Sequence, residues 1–421
     1  MKNIFLFPSF LLAMFATLGL FTASVGVAES GAPSRVEGKP VNLSGELHGL
    51  IGDSLLAYES YRLDLASLAR QAQEHRRLHL DLGELSLTLD LLPSSLRTVD
   101  PRGISSSGTV ESISPCSTVF RGEVAGDRGS RVYVVASPTL FEATVRTPEG
   151  SLYIVPARRF PPPGARRPSA EIVVVYRDEN RLHKDHAARC PVSRADAPPE
   201  GPGGRAVPVL STSAVWVGDT VTATVATDAD YSYYEVYGQD TNCQIQNLLS
   251  EADEVFTEDF GVSFTLGYQN VWDTSASNPY TTTASGALLK EFRNYWNTNF
   301  TAVTRDFAYL FSNENLDGNT IGRAYVGQVW ANQASAYGLT GKTSEDSWVL
   351  LHELGHLFDS SHDCQGYDLD DDDCGDCTAC QSDDGPIMCP CIQDKSSGFS
   401  DLSICVIEDW IGRYGQADSN S

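Results

Sequence analysis

After its first thirty residues this 421-residue chain has no unbroken apolar run long enough to cross a bilayer, which argues against a membrane-spanning protein. Basic residues are scarce in its second half. From Ala206 onward there are 33 acidic residues against 7 basic ones, whereas residues 29–205 balance at 22 and 22. A surface of that sign disfavours nucleic acid and anionic membranes as partners and mainly promotes solubility. Histidine is scarcer still: of eight in the chain, three lie beyond Ala206. The first half has no histidine cluster, no nucleophile elbow and no phosphate loop, so it reads as a scaffold. No internal repeat is visible.

What is present at the start is a positive "MKN", an apolar "IFLFPSFLLAMFATLGLF" and a small-residue exit ending at Ala28. Residues 1–28 are therefore expected to be a signal peptide, with export as a soluble protein. The ten cysteines suit an oxidising address. Two, Cys116 and Cys190, lie in the first half and eight in the second. "SRADAPPEGPGGRAVP", residues 193–208, is dense in Pro, Gly and Ala and reads as an exposed, nickable linker. "RRFPPPGARRP" (158–168) reads as a second loop of that kind. The expected division is a signal peptide at 1–28, a mostly β domain at 29–192, the linker at 193–208 and a second domain at 209–421.

Alternation over "LHLDLGELSLTLDLL" (78–92) and "SRVYVVAS" (130–137) predicts strands, with "SLARQAQEHRR" (67–77) the most helical piece of the first half. The second half alternates types. Strands are expected at 220–227, 262–272, 307–312 and 321–330, and helices at 243–260 and 285–296, with Gly261 beyond the first of these. Interleaved strands and helices predict an α/β fold with a mixed sheet packed on helices.

"TSEDSWVLLHELGHLF" (343–358) has the marks of a helix start. Thr343 and Asp346 have capping-box spacing, and Trp348, Leu351, Leu354 and Phe358 supply an apolar stripe. On such a helix His352 and His356 are one turn apart and share a face, with Glu353 beside them. Two imidazoles cannot finish a tetrahedral zinc site, so a third ligand must follow and leave one position for water. His362 can serve if the helix stops and the chain turns back. Glycine usually makes that turn, and Asp359 stands in its place. Asp tolerates the left-handed region at a cost on the order of 1 kcal/mol, against roughly ten times that from a zinc site. Asp359 or Asp363 as third ligand is the alternative.

"HELGHLFDSSHD" (352–363) resembles the metzincin zinc peptidases, and most of all their adamalysin (reprolysin) branch. "GPIMCPC" (385–391) resembles that branch's Met-turn, which implies Met388 beneath the zinc. Pro390 stands where other branches carry a tyrosine ligand. "LDGNTIGRAYVGQVW" (316–330) looks like the family's edge strand, implying that Ala324, Tyr325, Val326 and Gly327 align an extended peptide. "FSDLSICVIEDWI" (399–411) resembles the closing helix. "CSTVFRGEVAGDRGSRVYVVAS" (116–137) is similar to the adamalysin prodomain, although no partner for Cys116 is evident near "SPTLFEA". The resemblance implies a zincin-like catalytic domain preceded by a mostly β prodomain, with zinc on His352, His356 and His362 and Glu353 as general base.

Cys190, in "HAARCPVS", is similar to the family's cysteine switch, in which a prodomain thiolate occupies the zinc; a disulfide with Cys116 is the other reading. The even count of eight cysteines in the second half can pair internally. "CGDCTAC" (374–380) suits disulfides better than a second zinc knot. "DLDDDD" lacks the spacing of a defined calcium loop, so calcium has little support beside a solvated charge run. The resulting expectation is a zinc endopeptidase made as a zymogen, secreted to the extracellular space or to the periplasm of a Gram-negative source. Its partners would be protein or peptide substrates and its own prodomain as inhibitor. The rival is a non-catalytic secreted binding protein that keeps the zinc.

Overall fold

A computed structural model describes residues 35–104, 110–112, 116–181, 220–343, 346–363, 385–389 and 398–415. The expected signal peptide, the 193–208 linker, Cys190 and the acidic loop with Cys374, Cys377 and Cys380 lie outside the described residues. Mixed α/β structure is present, as two sheets with helices packed on them. Among the described residues no helix is long and apolar enough to cross a membrane.

The first sheet has ten strands, all from the first half of the chain. Its alternating run at 78–92 is not one strand but a hairpin, Arg77–Leu82 and Leu85–Pro93, paired Leu82 to Leu85. Gly83 at φ 65° supplies the turn that the pattern alone did not reveal. The helix Leu65–His75 is capped by Asp64, whose carboxylate accepts from the Ser67 N–H at 3.0 Å. Leu68 and Ala72 of this helix pack on one face of the sheet with Leu80, Leu89, Phe120, Val134 and Phe141.

The second sheet has seven strands in the order Gly322–Ala324, Tyr337–Thr340, Phe307–Phe311, Val221–Ala229, Val262–Val271, Arg97–Ile104, Val110–Ser112. The four inner pairings are parallel and the two outermost antiparallel. One face carries the helix Ser285–Asn299 through Leu288, Leu289, Phe292 and Trp296. The other face carries the helices Thr241–Phe260 and Asp346–Leu357. Thr241–Phe260 ends as its sequence suggests, with Gly261 at φ 65° donating to Phe256 and Thr257 carbonyls.

The last two strands of the second sheet come from the first half of the chain. One expectation is corrected. The arginine-rich loop at 158–168 is not simply exposed: Arg159, Phe160 and Pro161 are buried. Lys342 donates to the Phe160 carbonyl at 2.8 Å.

At the end of the central strand Asp228 is fully buried and accepts from Tyr280 Oη (2.5 Å), Trp296 Nε1 (2.7 Å) and Asn270 Nδ2 (2.9 Å). Burial outweighs these donors and pushes its carboxyl up to about 6. A raised acid stabilises the fold below its unfolded value of 3.8, and that contribution is lost as pH rises through about 6. Urea titrations of the parent and Asp228→Asn should therefore show the parent losing about 3 kcal/mol relative to the variant between pH 4 and 7. A constant difference across that range would contradict the assignment.

Candidate metal centre

The helix Asp346–Leu357 packs against the strands Gly322–Ala324 and Tyr337–Thr340, and every residue from Val349 to Leu357 is buried. Its start has a partner from far away in the chain. The Asp346 carboxylate is held by the Arg159 guanidinium, Nη2 to Oδ1 at 2.6 Å, and Arg159 also donates to the Thr343 carbonyl at 2.9 Å. Burial raises the Asp346 carboxyl and Arg159 opposes that rise. No local sequence signal marks this pairing, because its partners are 187 positions apart.

The helix ends where the sequence requires it to. Asp359 adopts φ 74°, in the left-handed region. Its N–H bonds the His356 carbonyl at 3.0 Å, and the Ser360 N–H bonds the Gly355 carbonyl at 3.0 Å. This pair of bonds is a Schellman closure with Asp in the position glycine usually takes. The neighbouring backbone completes it: Gly327, itself at φ 64°, donates to the His356 carbonyl at 2.9 Å. A Cβ on Gly327 would fall 2.4 Å from Asp359 Oδ1, so glycine is needed there for space as well as for its angle.

The turn delivers His362 to the two helical histidines. Nε2 separations are 3.1 Å for His356–His352, 3.3 Å for His356–His362 and 3.2 Å for His362–His352. Zinc at about 2.0–2.1 Å from each nitrogen of a tetrahedral site sets them roughly 3.3 Å apart, so the donor set fits. The ring orientations are fixed from behind. His352 Nδ1 lies 2.6 Å from the Ile387 carbonyl and His356 Nδ1 lies 2.7 Å from the Ser360 carbonyl, so each Nδ1 carries the proton and each Nε2 is a free lone pair. Burial, and secondarily His362, hold His352 down to about 3, and burial with both neighbouring rings holds His356 well below the usual range. Neutral imidazoles are the ligand form. Among the described residues this trio is the group able to hold a metal ion.

Met388 is fully buried against the helix, since a Cβ on Gly355 would lie 2.3 Å from its sulfur. Its turn is tied on two sides: the Ile387 carbonyl serves His352, and the Met388 carbonyl accepts from the Asp363 N–H at 2.8 Å. Asp363 is no member of the trio. Its Oδ1 accepts from Ser400 Oγ (2.7 Å) and Ser403 Oγ (2.8 Å) at the start of the closing helix Asp401–Tyr414. Those serines carry no signal of their own in the sequence, where "FSDLSICVIEDWI" only resembles the closing helix.

Glu353 is buried beside the edge strand, and a Cβ on Gly322 would lie 2.4 Å from its Oε1. Glycine at 322 is what makes room for that carboxylate. The strand is shorter than the pattern suggests. Ala324 belongs to it, the Tyr325 N–H bonds the Tyr337 carbonyl at 3.1 Å, and Val326 and Gly327 turn away under the helix end. The N–H of Gly327 is committed to His356, so it has no hydrogen bond to offer a peptide.

The cysteine expectation is corrected. Cys116 is bonded to Cys243 with Cα atoms 5.4 Å apart, which excludes a Cys116–Cys190 bridge and internal pairing of all eight later cysteines. Cys389 and Cys405 are disulfide-bonded as well.

The turn generates a prediction. Asp359→Gly should keep one equivalent of zinc and change stability by less than about 1 kcal/mol, because relieved strain and added unfolded-state freedom oppose each other. Gly327→Ala should cost about 1–3 kcal/mol. Metal analysis and urea unfolding check both; loss of zinc from Asp359→Gly would contradict the turn assignment.

Residues 219–400 match the family model Reprolysin_5, metallo-peptidase family M12. The chain is similar to snake venom metalloproteinase trimerelysin-2 of Protobothrops flavoviridis, 28% identical over 195 residues, covering 44% of this chain and 89% of the relative. It is also similar to the zinc metalloproteinase-disintegrin-like brevilysin H2a of Gloydius brevicauda, 27% identical over 176 residues. That match spans 40% of this chain and 38% of the relative's length. Together with the three-histidine centre, these matches support a metzincin of the reprolysin (adamalysin) branch in the region from 219 to 400.

Proposed function

We propose that the protein is a secreted zinc endopeptidase made as a zymogen, with residues 29–192 as a mostly β prodomain, 193–208 as the activation region and 209–421 as a zincin-like catalytic domain. One observation carries the reading: three Nε2 atoms converge within 3.3 Å, next to a buried glutamate that lines the sheet's edge strand. Zinc on His352, His356 and His362 would lower the pKa of a bound water and polarise the scissile carbonyl. Glu353 takes a proton from the attacking water and delivers it to the leaving amine. Met388 supports the histidines from below. The strand Gly322–Ala324, at the edge of its sheet among the described residues, offers backbone groups to an extended substrate. Cys190 is the candidate switch ligand. Calcium has no further support.

Export is supported by the signal-like first residues and by cysteines in disulfides. A binding protein that merely retains zinc would have no use for Glu353, which is not among the metal-holding trio.

Glu353→Gln should lower turnover of a quenched peptide library by at least about 10²–10⁴-fold while the protein keeps one equivalent of zinc. Near-parental turnover by the variant would remove Glu353 from the mechanism. With both proteins cut in the 193–208 linker beforehand, inactivity of both parent and variant, each loaded with zinc, would favour the binding protein.

A further inference from the structure

We infer that the N-terminal half is a permanent partner of the peptidase domain, joined to it covalently, and that cutting the 193–208 linker yields a two-chain protein rather than a freed catalytic domain. Four independent contacts lead there.

The first is the disulfide. Cys116 lies in the N-terminal half and Cys243 on the helix Thr241–Phe260, whose far end packs against the active-site helix. Around the bridge the Cys116 N–H donates to Gln246 Oε1 at 2.9 Å, so the linkage sits in an ordered contact. Hydrolysis of a linker peptide bond adds one water and leaves this S–S bond unchanged.

The second is the sheet. Arg97–Ile104 pairs in parallel with Val262–Val271, Arg97 opposite Thr265, and Val110–Ser112 pairs beyond it. Removing these strands would strip a ladder from the Val262–Val271 edge and leave its backbone groups unpaired. They attach at the opposite edge of the seven-stranded sheet from Gly322–Ala324. Their presence therefore leaves the candidate substrate edge clear of them.

The third is buried charge. Arg159 pairs with Glu142 in its own half (3.1 Å) and with Asp346 at the start of the active-site helix (2.6 Å). Arg146 pairs with Glu251, donates to Ser347 Oγ at 2.9 Å and stacks 3.9 Å over the Trp348 ring. Asp346 and Glu251 are both buried. Loss of the N-terminal half would leave these two carboxylates without their arginines and uncover Trp348. The fourth is apolar: Leu96, Val119, Val135 and Leu140 share one core with Ala252, Phe256, Leu350 and Met388.

A dissociable inhibitor would rest on a surface that is stable without it. Here the contact includes a sheet ladder, a covalent bond, buried ion pairs and the shared core, which is how a subunit is built. The proposal takes from the zymogen reading only the significance of a linker cut. The attachment itself is read without measuring activity.

The test places a site for a sequence-specific protease in the 193–208 linker of the full-length protein, cuts to completion and blocks free thiols before denaturation. The cut protein should run as one band on a non-reducing denaturing gel and as two after reduction, and should elute as a single species in size exclusion. Peptide mapping should recover the Cys116–Cys243 cross-link. Two bands without reductant, or separate elution of the halves, would overturn the proposal. Cut Cys116→Ser/Cys243→Ser should give two bands without reductant yet still co-elute. Co-elution failing only in this variant would reduce the attachment to the disulfide alone. If the variant does not fold, the gel of the cut parent decides.

Discussion

Three imidazole nitrogens must meet in a dry interior, and much of the second half is arranged so that they can. The Nε2 atoms stand 3.1–3.3 Å apart with no exposure worth the name, an arrangement that lone-pair repulsion disfavours unless a cation lies between them. Two of the three come from one helical face at no conformational expense. The third requires the helix to stop within one turn and reverse, and that demand places Asp359 at positive φ, Gly327 beneath it and the Schellman bonds around both. The same demand reaches further. Ile387 and Met388 orient the rings from below, Asp363 ties the segment after His362 to Ser400 and Ser403, and the closing helix is thereby drawn against the site.

Local chemistry in this chain was legible wherever the residues that decide it are neighbours. Gly261 ends its helix, and Asp359 takes the left-handed position that its spacing from His356 implies. The seven-stranded sheet was legible only in part. Tyr337–Thr340 is too short to produce an alternation, and 321–330 looked like a strand because a turn built of Tyr, Val and Gly has the same composition as one. What sequence could not reveal is pairing over long separations. Arg159 with Asp346, Cys116 with Cys243 and Arg97 with Thr265 are each joined by the fold, and nothing near either partner announces the other.

Those long-range pairings change how the charge asymmetry reads. The acidic second half is not uniformly a solvated surface, since Glu251 and Asp346 are buried against arginines of the neutral first half. The loop at 158–168 is buried at Arg159, Phe160 and Pro161, because composition marks Pro and Gly as punctuation but does not say what packs on the punctuation. The two halves are thus distinct in composition yet continuous in structure, and the peptidase domain is best treated in its full-length setting.

The most direct test of the account is hydrolysis of a mixed quenched-peptide library by full-length protein cut in its linker, with a zinc chelator and then with zinc restored. The account predicts cleavage that the chelator abolishes and zinc restores. Chelator-resistant cleavage, or none from folded, cut protein carrying one equivalent of zinc, would contradict it.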